Sequence, residues 1–284
     1  NSQHDLARLF AKEKNIDGVI HFAAHKAIGE SVSDPFKYYN NNIGGLIKLL
    51  ERLMENKISN IVFSSSATVY GEPDTPVVSE ETPTKKANSP YGNTKQIGED
   101  ILRDYAASSE DFKCILLRYF NPIGAHSSGR IGELPNGTPN NLIPFITQTA
   151  IGKREILTVF GDNYPTEDGS CVRDYIHVVD LAKAHVKALD FLFAKEKNTS
   201  CCEVFNIGTG KGNSVLEVIN AFETTTGVKL NYKIGPQRPG DVIAVYANAD
   251  KANKLLNWKA KIDMNQALQD SWNWEKNLKE DQKK

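Results

Sequence analysis

With 34 Lys and Arg against 35 Asp and Glu in 284 residues, the chain carries a formal net charge of −1, and 40% of it is hydrophobic. That length buries a substantial core as one large α/β domain or two unequal ones. The balanced charge supplies no basic field for nucleic acid, and no apolar run approaches the ~20 residues of a membrane span, so neither is an expected partner. The opening Asn1-Ser2-Gln3-His4-Asp5 does not resemble a signal peptide. Cys114, Cys171, Cys201 and Cys202 form no Cys-x-x-Cys pattern, so reduced thiols and a cytoplasmic protein are expected.

In chain order, Leu6, Leu9 and Phe10 mark an amphipathic helix, and Gly18 to Ala24 reads as a strand buried on both faces. His21 and His25 have the spacing of a metal pair but fall at a strand end rather than on a helix, so no metal site is read there. The apolar periodicity of Ile43 to Leu53 follows, then a strand Ile61 to Ser66, a helix carrying Tyr91, and a strand Cys114 to Phe120. Strands alternating with helices predict parallel βαβ units. Their active groups collect at carboxyl ends of strands, where Ala24, Ser66 and Asn121 fall.

Beyond Asn121-Pro122 the texture becomes rich in Gly, Pro and Asn through Asn141, which predicts a domain boundary between 1–121 and 122–284. The segment Val172 to Asp180 and the helix from Leu181 to Phe193 are expected to pack back on the first domain. Gly208-Thr209-Gly210-Lys211-Gly212 lies between a strand and a helix like a dinucleotide-binding loop. Its glycines recur at every second position, and it reads as a structural turn. Lys279 to the end reads as a frayed charged tail.

The chemistry centres on Tyr91-Gly92-Asn93-Thr94-Lys95 and on Ser64-Ser65-Ser66. Ser89-Pro90 reads as N-cap and first helical position, which stacks Tyr91 and Lys95 on one helix face. A phenol has a reference pKa of ~10 and needs a nearby positive charge to release its proton. One charge ~4 Å away at an effective dielectric of ~20 is worth ~4 kcal/mol, about three pKa units. Lys95 is expected to supply that charge, an oxidised nicotinamide to add to it, and Ser66 to hydrogen-bond the same substrate oxygen. This is the pattern of a hydroxyl-oxidising site. No Gly-rich turn for the pyrophosphate precedes the first strand, so about sixty residues, two βα units, are expected to be missing from the amino terminus. On that expectation the chain alone binds NAD weakly and associates through the open edge of its first strand.

With these residues in hand, the sequence resembles the UDP-galactose (UDP-glucose) 4-epimerase family of the extended short-chain dehydrogenase/reductase superfamily. The resemblance rests on His21-Phe22-Ala23-Ala24-His25-Lys26-Ala27-Ile28-Gly29-Glu30-Ser31, Phe63 to Gly71, Ser89 to Lys95, Arg118-Tyr119-Phe120-Asn121-Pro122-Ile123-Gly124-Ala125-His126 and Val172-Arg173-Asp174-Tyr175-Ile176-His177. Pro139-Asn140-Asn141-Leu142 and Arg238-Pro239-Gly240-Asp241 extend it.

The resemblance implies an α/β fold: a doubly wound parallel Rossmann-type sheet lacking its first βα units, with a smaller α/β domain for the UDP-sugar. It implies NAD as cofactor and reversible oxidation at sugar C4, which interconverts UDP-glucose and UDP-galactose through a 4-keto sugar. Tyr91 is the implied base, Lys95 its charge partner and a ribose ligand, and Ser66 the hydroxyl ligand. Phe22, Ala23, Lys26, Asn41 and Phe120 line the cofactor. Asn121, Asn141, Arg173, Arg238 and Asp241 hold the UDP-sugar. A homodimer of the full-length protein is expected. Val245 stands where some relatives carry a bulky aromatic, so UDP-N-acetylhexosamines are an expected further substrate. The alternatives are a sugar-nucleotide dehydratase or decarboxylase of the same superfamily, for which Ala67-Thr68 lacks the expected acid, and a cofactor-less binding module.

Overall fold

A computed structural model describes residues 3–196, 198–238 and 241–281. Strands β1 (Val19–His21), β2 (Asn60–Ser64), β4 (Lys113–Tyr119) and β8 (Cys201–Ile207) form one sheet in the order β1-β2-β4-β8, with every pair parallel. Side chains along a strand alternate between faces, and both faces here are apolar. Ile61, Phe63, Cys114 and Leu116 pack under the helices Gly44–Glu55 and Pro90–Ser108 through Leu46, Leu50, Leu53 and Leu102. Val62, Ile115, Leu117, Phe205 and Ile207 pack under the helix Val178–Phe193 through Leu181, Ala184, Ala188 and Leu192. Helices on both faces make the sheet doubly wound, as its unbroken apolar strands predict.

The second sheet runs β3 (Val77–Val78), β11 (Ala244–Ala247), β7 (Val172–His177), β5 (Asn121–Ile123), with β9 (Gly212–Ser214) antiparallel to β7. Strands β6 (Leu157–Phe160) and β10 (Tyr232–Gly235) pair separately. Helices Leu142–Ala150, Val215–Thr226 and Met264–Asp281 build the core of this unit around Ile143, Ile146, Ile219, Phe222 and Leu268.

The simple cut between 121 and 122 needs correction, because each unit borrows a strand from the other side of it. β8 is the fourth strand of the first sheet, and β3 lies in the second. Burial explains the return: Phe205 and Ile207 are fully buried in the cluster beneath the helix Val178–Phe193. The charged tail expected from Lys279 onward continues as helix to Asp281, and its last three residues lie outside those described.

The loop that mimics a dinucleotide turn is filled from within. The Asp174 carboxylate accepts from the Thr209 and Gly210 N–H groups at 2.9–3.0 Å and from the Thr209 hydroxyl at 2.6 Å. A Cβ on Gly208 would meet Asp174 Oδ2 at 2.5 Å. Its anion-binding N–H groups therefore serve an internal carboxylate.

A buried ion cluster ties the Tyr91 helix to the sheet. Glu99 accepts from Arg118 Nε at 2.9 Å and Nη2 at 2.6 Å, from Arg103 at 2.6 Å and from Ser65 Oγ at 2.6 Å. Burial works to raise the Glu99 carboxyl, yet hydrogen bonds and charge from Arg118, with Ser65 and Arg103, hold it below the ordinary range. Removing one member of such a pair strands the other charge. Glu99→Gln is expected to lower stability by ~3–5 kcal/mol, read as a lower urea midpoint at neutral pH. A midpoint equal to the parent's refutes the assignment.

Candidate active site

Strand β2 delivers Ser64 and Ser65 to the carboxyl edge of the first sheet, and the chain then turns. Ser66 is extended and caps the 3₁₀ turn Ala67–Tyr70, its hydroxyl accepting from Thr68 N–H at 3.3 Å. Opposite it starts the helix Pro90–Ser108, where the Ser89 hydroxyl accepts from Gly92 N–H at 3.1 Å and Pro90 holds the first turn. Tyr91 and Lys95 consequently share one face of that helix. Ser66 stands close enough to the Tyr91 phenol to work toward lowering it. The Lys95 ammonium lies 5.9 Å from the Tyr91 ring centroid and 5.0 Å from that of Phe63, and donates to Ser64 O at 2.5 Å. The three residues named from the sequence meet at one edge.

Their electrostatics differ from the expectation of a phenol lowered by its lysine. Burial pushes the Tyr91 phenol up, Tyr119 adds to the rise, and Ser66 works against it. Tyr91 is only 9% exposed, so desolvation of a phenolate dominates. Burial also pulls Lys95 down to about 8, with Glu99 opposing. At neutral pH the phenol keeps its proton and Lys95 keeps its charge. His21, stacked on Phe63 with centroids 6.0 Å apart, is lowered to about 4 by burial and by Lys95.

Several residues that the sequence reading passed over support this edge. Glu99 follows Lys95 by four residues, continuing the Tyr91–Lys95 face by one turn, and that spacing was a usable signal. Ser65 and Arg118 complete its cluster. Asn42 accepts from His25 N–H at 2.8 Å and donates to His25 O and to Thr94 Oγ1, each at 3.0 Å. It thereby fastens the loop after β1 to the helix Pro90–Ser108, and nothing in its sequence neighbourhood marks it out.

Of the residues implied as cofactor ligands, Phe22, Ala23 and Lys26 lie in that loop at the carboxyl end of β1. The Phe22 ring is 56% exposed, with its centroid 4.5 Å from that of His185. Asn41 sits in a π-helical turn Tyr39–Ile43 and donates to Asn42 Oδ1 at 2.9 Å. Phe120 is buried among Val69, Tyr70, Val78, Val245 and Ala247, so its ring forms part of the wall rather than an open face.

Of the residues implied as sugar-nucleotide ligands, Asn121 is exposed at the start of β5. Arg173, Arg238 and Asp241 converge: Arg238 donates to the Asp241 carboxylate at 2.6–3.2 Å, and Arg173 Nη2 lies 3.9 Å from it. Pro239 and Gly240, between them, lie outside the described residues. Asn141 donates to Glu133 Oε1 at 2.7 Å, the oxygen that also pairs with Lys26 at 3.1 Å. Glu133 is a further residue that the sequence reading missed. A separate 250 Å³ cavity lined by Lys85, Lys86, Gln96, Glu99, Asp100 and Arg103 includes none of the residues singled out from the sequence.

Comparison with known proteins bears on the family. Residues 1–271 match the family described as GDP-mannose 4,6 dehydratase. A UDP-glucose 4-epimerase of Oryza sativa is 50% identical over 95% of this chain and 65% of its own length. A bifunctional protein of Pachysolen tannophilus is also 50% identical, over 96% of this chain and 40% of its own. The chain thus spans less than two thirds of either relative. A crystal structure of UDP-glucose 4-epimerase from Stenotrophomonas maltophila, with bound NAD and formylated UDP-arabinopyranose, superposes with a TM-score of 0.93 at 46% identity, covering 99% of this chain and 82% of that one. A fold shared this closely, reached independently from the serine-rich strand end and the Tyr91 helix, establishes that the chain belongs to the family of the UDP-glucose 4-epimerases.

Proposed function

We propose that this protein interconverts UDP-glucose and UDP-galactose by reversible oxidation at sugar C4, with NAD as cofactor. The observation that carries the reading is the meeting of Ser66, Tyr91 and Lys95 at the carboxyl edge of a parallel sheet, with the Lys95 ammonium 5.9 Å from the Tyr91 ring centroid and Ser66 beside the phenol. The donor set suits NAD: an open Phe22 ring and exposed Ala23, a Lys26 cation for phosphate, and a Lys95 ammonium for a ribose hydroxyl pair, with Asn41 in the π-helical turn Tyr39–Ile43 and Phe120 in a buried wall. Bound there, NAD supplies the hydride acceptor and a fixed positive charge.

The chain's own residues manage the proton and the grip. Tyr91 takes the proton of the 4-hydroxyl and later returns it; with the hydride removed from C4 also given back to C4, no net redox change would remain. Ser66 orients that hydroxyl. Lys95 keeps a positive charge within a turn of the phenolate, offsetting the burial that otherwise holds the phenol protonated. Arg173 and Arg238 suit a diphosphate, Asp241 suits ribose hydroxyls, and Asn121 and Asn141 add amide contacts. The turn Ala67–Tyr70 brings no carboxylate next to Ser66, which disfavours a dehydratase.

The test is incubation of the full natural polypeptide with UDP-galactose, followed by separation of UDP-glucose and assay of NAD after denaturation. Formation of UDP-glucose on protein that carries NAD is the expected result. An accumulating 4-keto product, or no conversion by NAD-loaded protein, overturns the reading.

Within the same reading, Val245 on β11 pairs in register with Arg173 and packs beside Tyr70 and Phe120. Its small side chain supports acceptance of UDP-N-acetylhexosamines. Parallel assays with UDP-galactose and UDP-N-acetylglucosamine are expected to show turnover of both, and absence of the second removes this part. The four free thiols support a reducing, cytoplasmic setting. Exposed Ile47 and Met54 on the helix Gly44–Glu55 support a homodimer, checked by light scattering.

A further inference from the structure

One carboxylate spans the two halves of the proposed site. Glu133 Oε1 accepts from Asn141 Nδ2 at 2.7 Å and from Lys26 Nζ at 3.1 Å. Lys26 belongs to the loop after β1 of the first sheet, whereas Asn141 caps the helix Leu142–Ala150 of the second unit. Glu133 itself is immobilised from behind. Its carbonyl accepts from Trp274 Nε1 at 2.9 Å, and Gly129 O accepts from Asn277 Nδ2 at 2.9 Å, so the loop is fastened to the helix Met264–Asp281 twice. Gly132 makes this approach possible, because a Cβ there would stand 2.4 Å from the Trp274 ring.

Magnitudes separate the two contacts. The Lys26 side chain is 65% exposed and that of Glu133 35%, so their ion pair adds little stability. The hydrogen bond from the Asn141 amide is different in kind: the Asn141 side chain makes no capping hydrogen bond to its own helix, and the contact with Glu133 decides where its amide points. With Nδ2 committed to Glu133, the Asn141 amide oxygen is left as the group to face a ligand.

We propose that Glu133 is a positioning residue of this site, setting the Asn141 amide and the Lys26 ammonium at a fixed separation through one carboxylate oxygen before either ligand binds. This rests on the assignment of Asn141 to the UDP-sugar and of Lys26 to NAD made above. Glu133 touches neither reacting atom, so its effect falls on binding rather than on the chemical step.

The experiment measures UDP affinity by calorimetry, KM and kcat with UDP-galactose, and NAD retained through purification, for the parent, Glu133→Ala, Glu133→Gln, Asn141→Ala and the Glu133→Ala/Asn141→Ala double variant. Glu133→Ala is expected to weaken UDP and raise KM about tenfold, equivalent to one charge-assisted hydrogen bond, with kcat nearly unchanged. Glu133→Gln keeps an acceptor for Asn141 and is expected to stay within about threefold of the parent. It is expected to retain at least as much NAD, since Lys26 loses a competing carboxylate. The double variant is expected to bind no worse than Asn141→Ala alone.

Additive losses in the double variant, or a Glu133→Gln as weak as Glu133→Ala, overturn the proposal. An Asn141→Ala that binds UDP like the parent overturns the ligand assignment and the proposal with it, and is distinguished by that readout alone. Should Glu133→Ala fail to fold, Glu133→Asp, too short to reach both partners, replaces it with the same expected loss.

Discussion

Tyr91→Phe is expected to lower the interconversion of UDP-galactose and UDP-glucose ~10²–10⁴-fold, the range for a lost proton-transfer group, while UDP affinity changes little. Only the phenolic oxygen, which stands beside Ser66, is removed. The ring itself, 9% exposed, keeps its packing. Rates measured at saturating substrate, alongside UDP binding, separate the two effects. A variant retaining a tenth or more of the parent rate would remove Tyr91 from the role of base, and attention would pass to the other hydroxyls at the edge.

Lys95→Met is expected to show opposite effects on activity and stability. Activity falls because no protein charge remains beside the phenolate. Stability at neutral pH rises, and the sign follows from the shift. The Lys95 ammonium drops from an ordinary 10.5 to about 8 in the fold, mainly through burial. Below pH 8 both folded and unfolded states hold the proton, and keeping the charge inside costs about 3 kcal/mol. As pH rises from 8 toward 10.5 the unfolded state holds more protons, so the parent recovers that stability.

Methionine removes the charge at similar length but leaves Ser64 O without its donor, a loss of about 1 kcal/mol. The variant should therefore exceed the parent by ~1–2 kcal/mol at pH 7, with the gap closing by pH 10. Urea midpoints across that interval check it. A less stable variant at pH 7 would mean that the lysine's contacts outweigh its desolvation. A site that gains stability when its charged residue is deleted is one in which local stability has been traded for chemistry.

Much of this was legible along the chain because it depends on spacing. Tyr91 and Lys95 four residues apart, a Ser-Pro helix start before them, and strands apolar on both faces determine their own local geometry through helix periodicity and sheet pleat. The turn at Gly208 to Gly212 was legible as structural, although the carboxylate that fills it, Asp174, comes from another strand. The return of β8 to the first sheet was not legible, because Cys201 to Ile207 reads as a strand in any sheet. Which sheet it joins depends on Phe205 and Ile207 finding the cluster under the helix Val178–Phe193.

Residue types and their local order were thus enough to name the family and to place Ser66, Tyr91 and Lys95 together at one edge. Tertiary structure alone decided how those groups behave. Whether a phenol is raised or lowered depends on the balance of desolvation, hydrogen bonding and neighbouring charge, and here burial, with Tyr119 adding to it, outweighs Ser66. The ion cluster of Glu99 with Arg118 and the bridge of Glu133 between Lys26 and Asn141 join residues 19, 107 and 8 positions apart. Long-range contacts of that kind arise only when packing closes the chain on itself, and no local pattern encodes them.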